Sequence, residues 1–84
     1  MSSFEQYYYE NIAKKIRCLR IKHGYTQEKL SELLSKNDKY IGHIERCEHK
    51  ISHKMLLNII RFFKVQISTF FDFAEYNYQD NKNV

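Results

Sequence analysis

Apolar residues recur along this chain at helical spacing, with almost none of the strict alternation that a strand would show, so the pattern predicts helices throughout. Ile12, Ile16 and Leu19, at i, i+4 and i+7, mark one face of a first helix from Glu10 to about Lys22, with Lys14, Lys15 and Arg17 outside. Ser2-Ser3 can cap an opening helix, but the aromatic and acidic run from Phe4 to Tyr9 precedes the regular pattern. His23-Gly24 ends the first helix, because glycine takes the left-handed position after a helix without a Cβ penalty.

Thr26 caps a second helix, flanked by Tyr25 and Leu30 at the positions of a hydrophobic staple. Leu30, Leu33 and Leu34 give that helix one apolar face, which stops near Ser35-Lys36. Asn37 caps a third helix, 38–47, in which Ile41 and Ile44, helped by Tyr40 and Cys47, form an inward stripe. Asp38, Lys39, Gly42, His43 and Arg46 are left facing outward, a set of mixed hydrogen-bonding character that suits the matching of base edges in a DNA major groove. A polar link follows. Ser52 caps a fourth helix with the core stripe Leu56, Ile59, Ile60 and Phe63, and a fifth runs from Ile67 to about Tyr76 with Phe70, Phe71, Phe73 and Ala74. The expected architecture is all-α, a compact five-helix domain over 1–76 with a helix-turn-helix at 26–47 and a polar tail at 77–84.

Charge sharpens this picture more than composition does. The net +4 is unevenly placed: residues 14–64 carry thirteen Lys/Arg against five Asp/Glu, or +8, while 1–13 and 65–84 each carry −2. The basic charge therefore sits on the body that contains the helix pair, and a polyanion is the natural partner. A chain of 84 residues buries only about 60 to 65% of the surface it exposes when unfolded, which leaves little room for an active-site cavity. No glycine-rich phosphate loop, convergent carboxylate pair or nucleophile with a base is visible, so no enzyme is expected. Two cysteines, no signal-peptide pattern and no uninterrupted apolar span point to a reducing cytoplasm with no membrane contact. His43, Cys47, His49 and His53 crowd eleven residues, but apart from the His49 to His53 interval, which crosses a loop, they show no standard zinc spacing. Cys18 and Cys47 are read as small core-facing side chains, and neither metal nor cofactor is expected.

The run Y-T-Q-E-K-L-S from Tyr25, Y-I-G-H-I-E-R from Tyr40, the basic Arg17 and Arg20, and V-Q-I-S-T-F-F ending at Phe71 together resemble the helix-turn-helix domain of phage lambda-type repressors and Cro proteins, the XRE-like transcriptional regulators. The resemblance implies binding of double-stranded DNA, with helix 2 across the backbone and helix 3 in the major groove. Carried over by position, it implies base contacts from Asp38, Lys39, Tyr40 and His43, and phosphate contacts from Gln27, Asn37, Arg46 and Lys50. Arg20 and Glu45 fall where many members tie helix 1 to helix 3 with a buried ion pair. The sequence departs from the family at four places: Ser35, Cys47 and Lys64 stand where members usually have glycine, and Lys29 where glutamate completes a capping box. Length and the Y-I-x-x-I-E-R run are also similar to controller proteins of restriction-modification systems, although these often have arginine where Asp38 stands. The aromatic weighting of the C-terminal part suggests a homodimer through helix 5, with Phe70, Phe71, Phe73 and Tyr76 at its interface. Regulation would act by occupying promoter DNA or by contacting RNA polymerase; the alternative is a protein-interaction or antitoxin-type module of the same fold with little DNA binding.

Overall fold

A computed structural model describes residues 2–73, in which five helices follow one another: α1 (Ser3–Lys22), α2 (Gln27–Leu33), α3 (Tyr40–Glu45), α4 (His53–Phe63) and α5 (Ile67–Phe70). No strand occurs among the described residues. The core is a single cluster drawn from all five helices, with Ile12 and Ile16 of α1, Leu30 of α2, Ile41 and Ile44 of α3, Leu56, Ile59, Ile60 and Phe63 of α4, and Phe70 of α5. The predicted stripe of α4 is the one buried, as are Ile41 and Ile44 of α3. In α2, however, Leu33 is exposed and Ser31 takes its place inside.

The caps explain where the helices start. Thr26 accepts from the Lys29 backbone N–H at 2.9 Å and Ser52 from that of Met55 at 3.1 Å, each satisfying a donor that has no earlier carbonyl to use. The largest departure from expectation lies in α1, which begins seven residues before Glu10. Ser2 and Glu5 form a reciprocal capping box, the serine hydroxyl accepting from the Glu5 N–H and the Glu5 carboxylate from the Ser2 N–H, both at 3.1 Å. The aromatic run is thus helical, and its rings meet the chain after α5: Tyr7 lies edge-on to Phe73 at 6.1 Å and Tyr8 stacks on Phe71 at 6.5 Å. Their burial depends on a remote partner, so they do not follow the Ile12 stripe.

α1, α2, α3 and α4 end the same way. After each, two backbone N–H groups turn back onto the last turn, as in Gly24 to Ile21 with Tyr25 to Arg20, and Cys47 to Ile44 with Glu48 to His43. Ser35 to Glu32 with Lys36 to Ser31, and Lys64 to Arg61 with Val65 to Ile60, complete the set. This closure requires one left-handed residue. Gly24 supplies it at φ 76°, but Ser35, Cys47 and Lys64 adopt φ 62°, 60° and 57° with a Cβ in place. The three positions where the resemblance leads glycine to be expected therefore retain the conformation that glycine favours, each at a cost of about 1 to 2 kcal/mol.

α5 is shorter than expected. It is one turn, capped at Phe71, and Asp72 and Phe73 are not helical. Phe70 is 1% exposed inside the monomer core and offers no ring to a second copy, whereas Phe71 and Phe73 are half-buried against α1. Ala74 and Tyr76 lie outside the described residues.

Candidate functional site

Several of the residues singled out in the sequence lie where α2, α3 and the end of α1 meet. α3 has no side-chain cap of its own: Lys39 occupies the N-cap position in a helical conformation and its side chain makes no capping hydrogen bond. Two other groups compensate. Asn37 Oδ1 accepts from the Lys39 N–H at 2.9 Å, stiffening the turn, and Ser31 Oγ accepts from the buried Ile41 N–H at 3.0 Å while donating to the Gln27 carbonyl at 2.8 Å. A side chain of α2 thus closes the first turn of α3. Asp38 and Lys39, expected as the first residues of the third helix, instead form an exposed turn before it, because the regular helix starts at Tyr40.

The Arg20–Glu45 pair is present. Arg20 Nε and Nη2 donate to Glu45 Oε2 and Oε1 at 2.7 and 3.0 Å, a bidentate contact between side chains only 12% and 4% exposed. Arg20 Nη1 also donates to the Tyr25 carbonyl at 2.9 Å, and Gln27 Nε2 donates to Glu45 Oε1 at 2.9 Å. One carboxylate therefore gathers α1, α2 and α3. Gln27, expected to meet phosphate through its side chain or through the backbone N–H groups at the start of the helix, has its side-chain amide directed inward at Glu45.

Gly42 is buried rather than outward-facing. A Cβ there would stand 3.0 Å from Gln27 Oε1 and 3.1 Å from Arg46 Nη1, so the missing side chain makes space for the Gln27 carboxamide and the Arg46 guanidinium. The close approach that a glycine permits occurs within the protein.

Beyond α3 the polar set is organised by Glu48, which the sequence reading passed over. Its Oε1 lies 2.7 Å from His43 Nδ1 and 3.3 Å from Arg46 Nη2, and its Oε2 lies 3.0 Å from Arg46 Nε. The hydrogen bond from Arg46, then that from His43, hold the Glu48 carboxyl down to about 2. The same hydrogen bond raises the Arg46 pKa. The His43 ring also stacks on that of His49 with centroids 4.7 Å apart. The only sequence signal for Glu48 was that it is one of five acids in the basic stretch 14–64.

The remaining candidates lie apart from this cluster. Tyr40 is half-buried beneath the Lys36 ammonium, 5.2 Å from its ring centroid, and burial raises its phenol pKa. Lys50 places its ammonium 5.7 Å from the Tyr9 ring centroid, toward α1. Cys18 and Cys47 are both exposed, against the expectation of core-facing thiols. Cys47 follows the helix in the left-handed position and so leaves the Ile41–Ile44 stripe, with its thiol 3.9 Å from the Tyr9 carbonyl. Burial of part of that side chain and the charge of Glu10 push the thiol pKa up, opposite to what a nucleophile or metal ligand needs. Among the described residues no three His, Cys, Asp or Glu side chains gather as a metal site, and no helix is long and apolar enough to cross a membrane.

A family model described as Helix-turn-helix matches residues 16–70, which covers the last two turns of α1 and everything through α5. Comparison with curated proteins and with solved structures returns no match.

Proposed function

The chain belongs to the lambda-repressor-like helix-turn-helix family, a family of DNA-binding regulators, and we propose that it is a cytoplasmic, sequence-specific regulator of transcription that binds double-stranded DNA through α2, α3 and the turn between them. The observation that best supports this reading is the joint fixing of α2 and α3 by Ser31 and Glu45. A helix that reads bases must be held at a set angle to the one that rests on the backbone. Lys39, His43 and Arg46 are then the groups offered to DNA, with Asp38 and Tyr40 beside them. Lys39 suits guanine O6 or N7, and Arg46 a phosphate. Asn37 and Lys50 approach the backbone at the two ends of α3, and Gln27 at the start of α2.

The regulator acts as a homodimer on an inverted repeat whose half-sites lie one helical turn apart, about 34 to 36 Å. Phe71, Phe73 and Tyr76 contribute to its interface in this reading, and the exposed Ile67 adds apolar surface there. Repression follows from occupying a promoter, activation from contact with RNA polymerase.

Selection of bound duplexes from a randomised library at about 0.15 M salt, where charges more than about 8 Å apart are screened, tests this directly. The expected result is an inverted repeat. Recovery of nothing above background overturns the reading in favour of a protein-interaction module of the same fold.

A further inference from the structure

An acid on a surface offered to a polyanion calls for a reason, and Glu48 is placed by the backbone rather than by chance of rotamer. Cys47 turns left-handed, the Glu48 N–H closes onto the His43 carbonyl at 2.9 Å, and the side chain is thereby returned over α3. There it meets both His43 and Arg46. With its carboxyl held down to about 2, Glu48 is ionised throughout the neutral range, and an ionised carboxylate only accepts. The nitrogen of His43 that faces it, Nδ1, must therefore carry the proton. In the neutral ring Nε2 is then left with a lone pair, an acceptor suited to the amino group of adenine or cytosine.

Arg46 is bound by the same carboxylate, but loosely. With side chains 53% and 48% exposed, the Arg46–Glu48 pair is screened by water and opens readily when a phosphate competes. Random phosphate contact must displace Glu48 and repel it. A docked duplex can take Arg46 while leaving the His43–Glu48 bond intact.

We propose that Glu48 is a positioning and specificity-determining residue: it fixes His43 in the Nδ1–H form, so that Nε2 reads an amino donor on a base, and it competes with phosphate for Arg46, so that binding to random sequence is held down. This rests on the DNA-binding reading above.

The test uses Glu48→Ala, which removes both effects, and Glu48→Gln, which keeps an acceptor near His43 but no charge. The first readout needs no DNA: long-range 15N–1H spectra of the full chain at pH 8 should show His43 as Nδ1–H in the parent and shifted toward Nε2–H in Glu48→Ala. The second is binding to the selected motif and to random duplex over a salt series. Glu48→Ala should bind random duplex more tightly, with a salt slope steeper by about one. Its preference for an amino donor at the base facing His43 should fall about tenfold. Glu48→Gln should share the steeper slope but keep more of the base preference. Parent His43 in the Nε2–H form, or a Glu48→Ala protein whose preference and salt slope match the parent's, overturns the proposal alone. A parent that selects no duplex overturns the DNA-binding reading, while the spectra still report the His43–Glu48 bond.

Discussion

Two arginine–glutamate pairs meet at the end of α3, involving the adjacent residues Glu45 and Arg46, and their hydrogen bonds differ by only 0.3 Å, at 2.7 and 3.0 Å. Their exposure to solvent differs far more. Arg20 and Glu45 are nearly enclosed, span 25 residues of sequence and are bonded further to the Tyr25 carbonyl and the Gln27 amide. Arg46 and Glu48 are two residues apart and about half exposed. The enclosed pair has no solvent to replace a lost partner, so it fixes structure; the open pair exchanges partners easily, so it can take part in binding. Length of the contact does not distinguish these roles, whereas exposure and connectivity do.

The contrast breaks first at Glu45. Glu45→Leu strands the Arg20 guanidinium in the interior and should destabilise the domain by about 3 to 5 kcal/mol, read from urea unfolding. Arg20→Met added to Glu45→Leu should recover much of that loss, since removal of both charges leaves none unpaired. A small effect of the single change would put the two pairs in one class. Next in size is the strain between them: Cys47→Gly relieves a left-handed Cβ and should stabilise the fold by about 0.5 to 1 kcal/mol, less than the strain itself because glycine also gains freedom in the unfolded chain. The smallest effect belongs to Glu48. Glu48→Gln should leave the urea midpoint at pH 7 almost where it was.

Acid sharpens the comparison further. The folded pKa of Glu48 is about 2, below its ordinary 4.5, so any stability it lends is complete above pH 4.5 and is lost as pH falls from there through 2. The difference between parent and Glu48→Gln in urea midpoint should thus vanish toward pH 2. A difference that grew on acidification would contradict the sign.

The local signals in the sequence carried much of this fold. Thr26, Ser52 and Gly24 mark helix ends through their own side chain or its absence, and the Leu56 to Phe63 stripe follows one helical period. The Arg20–Glu45 pair was accessible only through the family resemblance, since nothing local joins residues 25 apart. What escaped has a common physical origin in contacts across helix ends. Ser2 was legible as a cap, but the helix that follows it, with Glu5 closing the box, was masked by aromatic residues whose rings pack beyond α5. The burial of Gly42 is invisible locally because the Gln27 carboxamide over it comes from another helix. Glu48 reaches His43 at i+5 and Arg46 at i+2, spacings that helix-face rules do not pair, and does so because Cys47 reverses the chain.

The Ser31 hydroxyl has a consequence in time as well as in space. Amides in the first turn of a helix ordinarily exchange with solvent early, since no preceding carbonyl closes them and fraying exposes them. Ile41 stands in that turn, yet its N–H is buried and bound to a side chain of α2. Its proton can leave only when the two helices part, so its exchange is slow and counts separations of α2 from α3 rather than fraying of α3. A single amide thus serves as a clock for the unit that would have to enter DNA as one body.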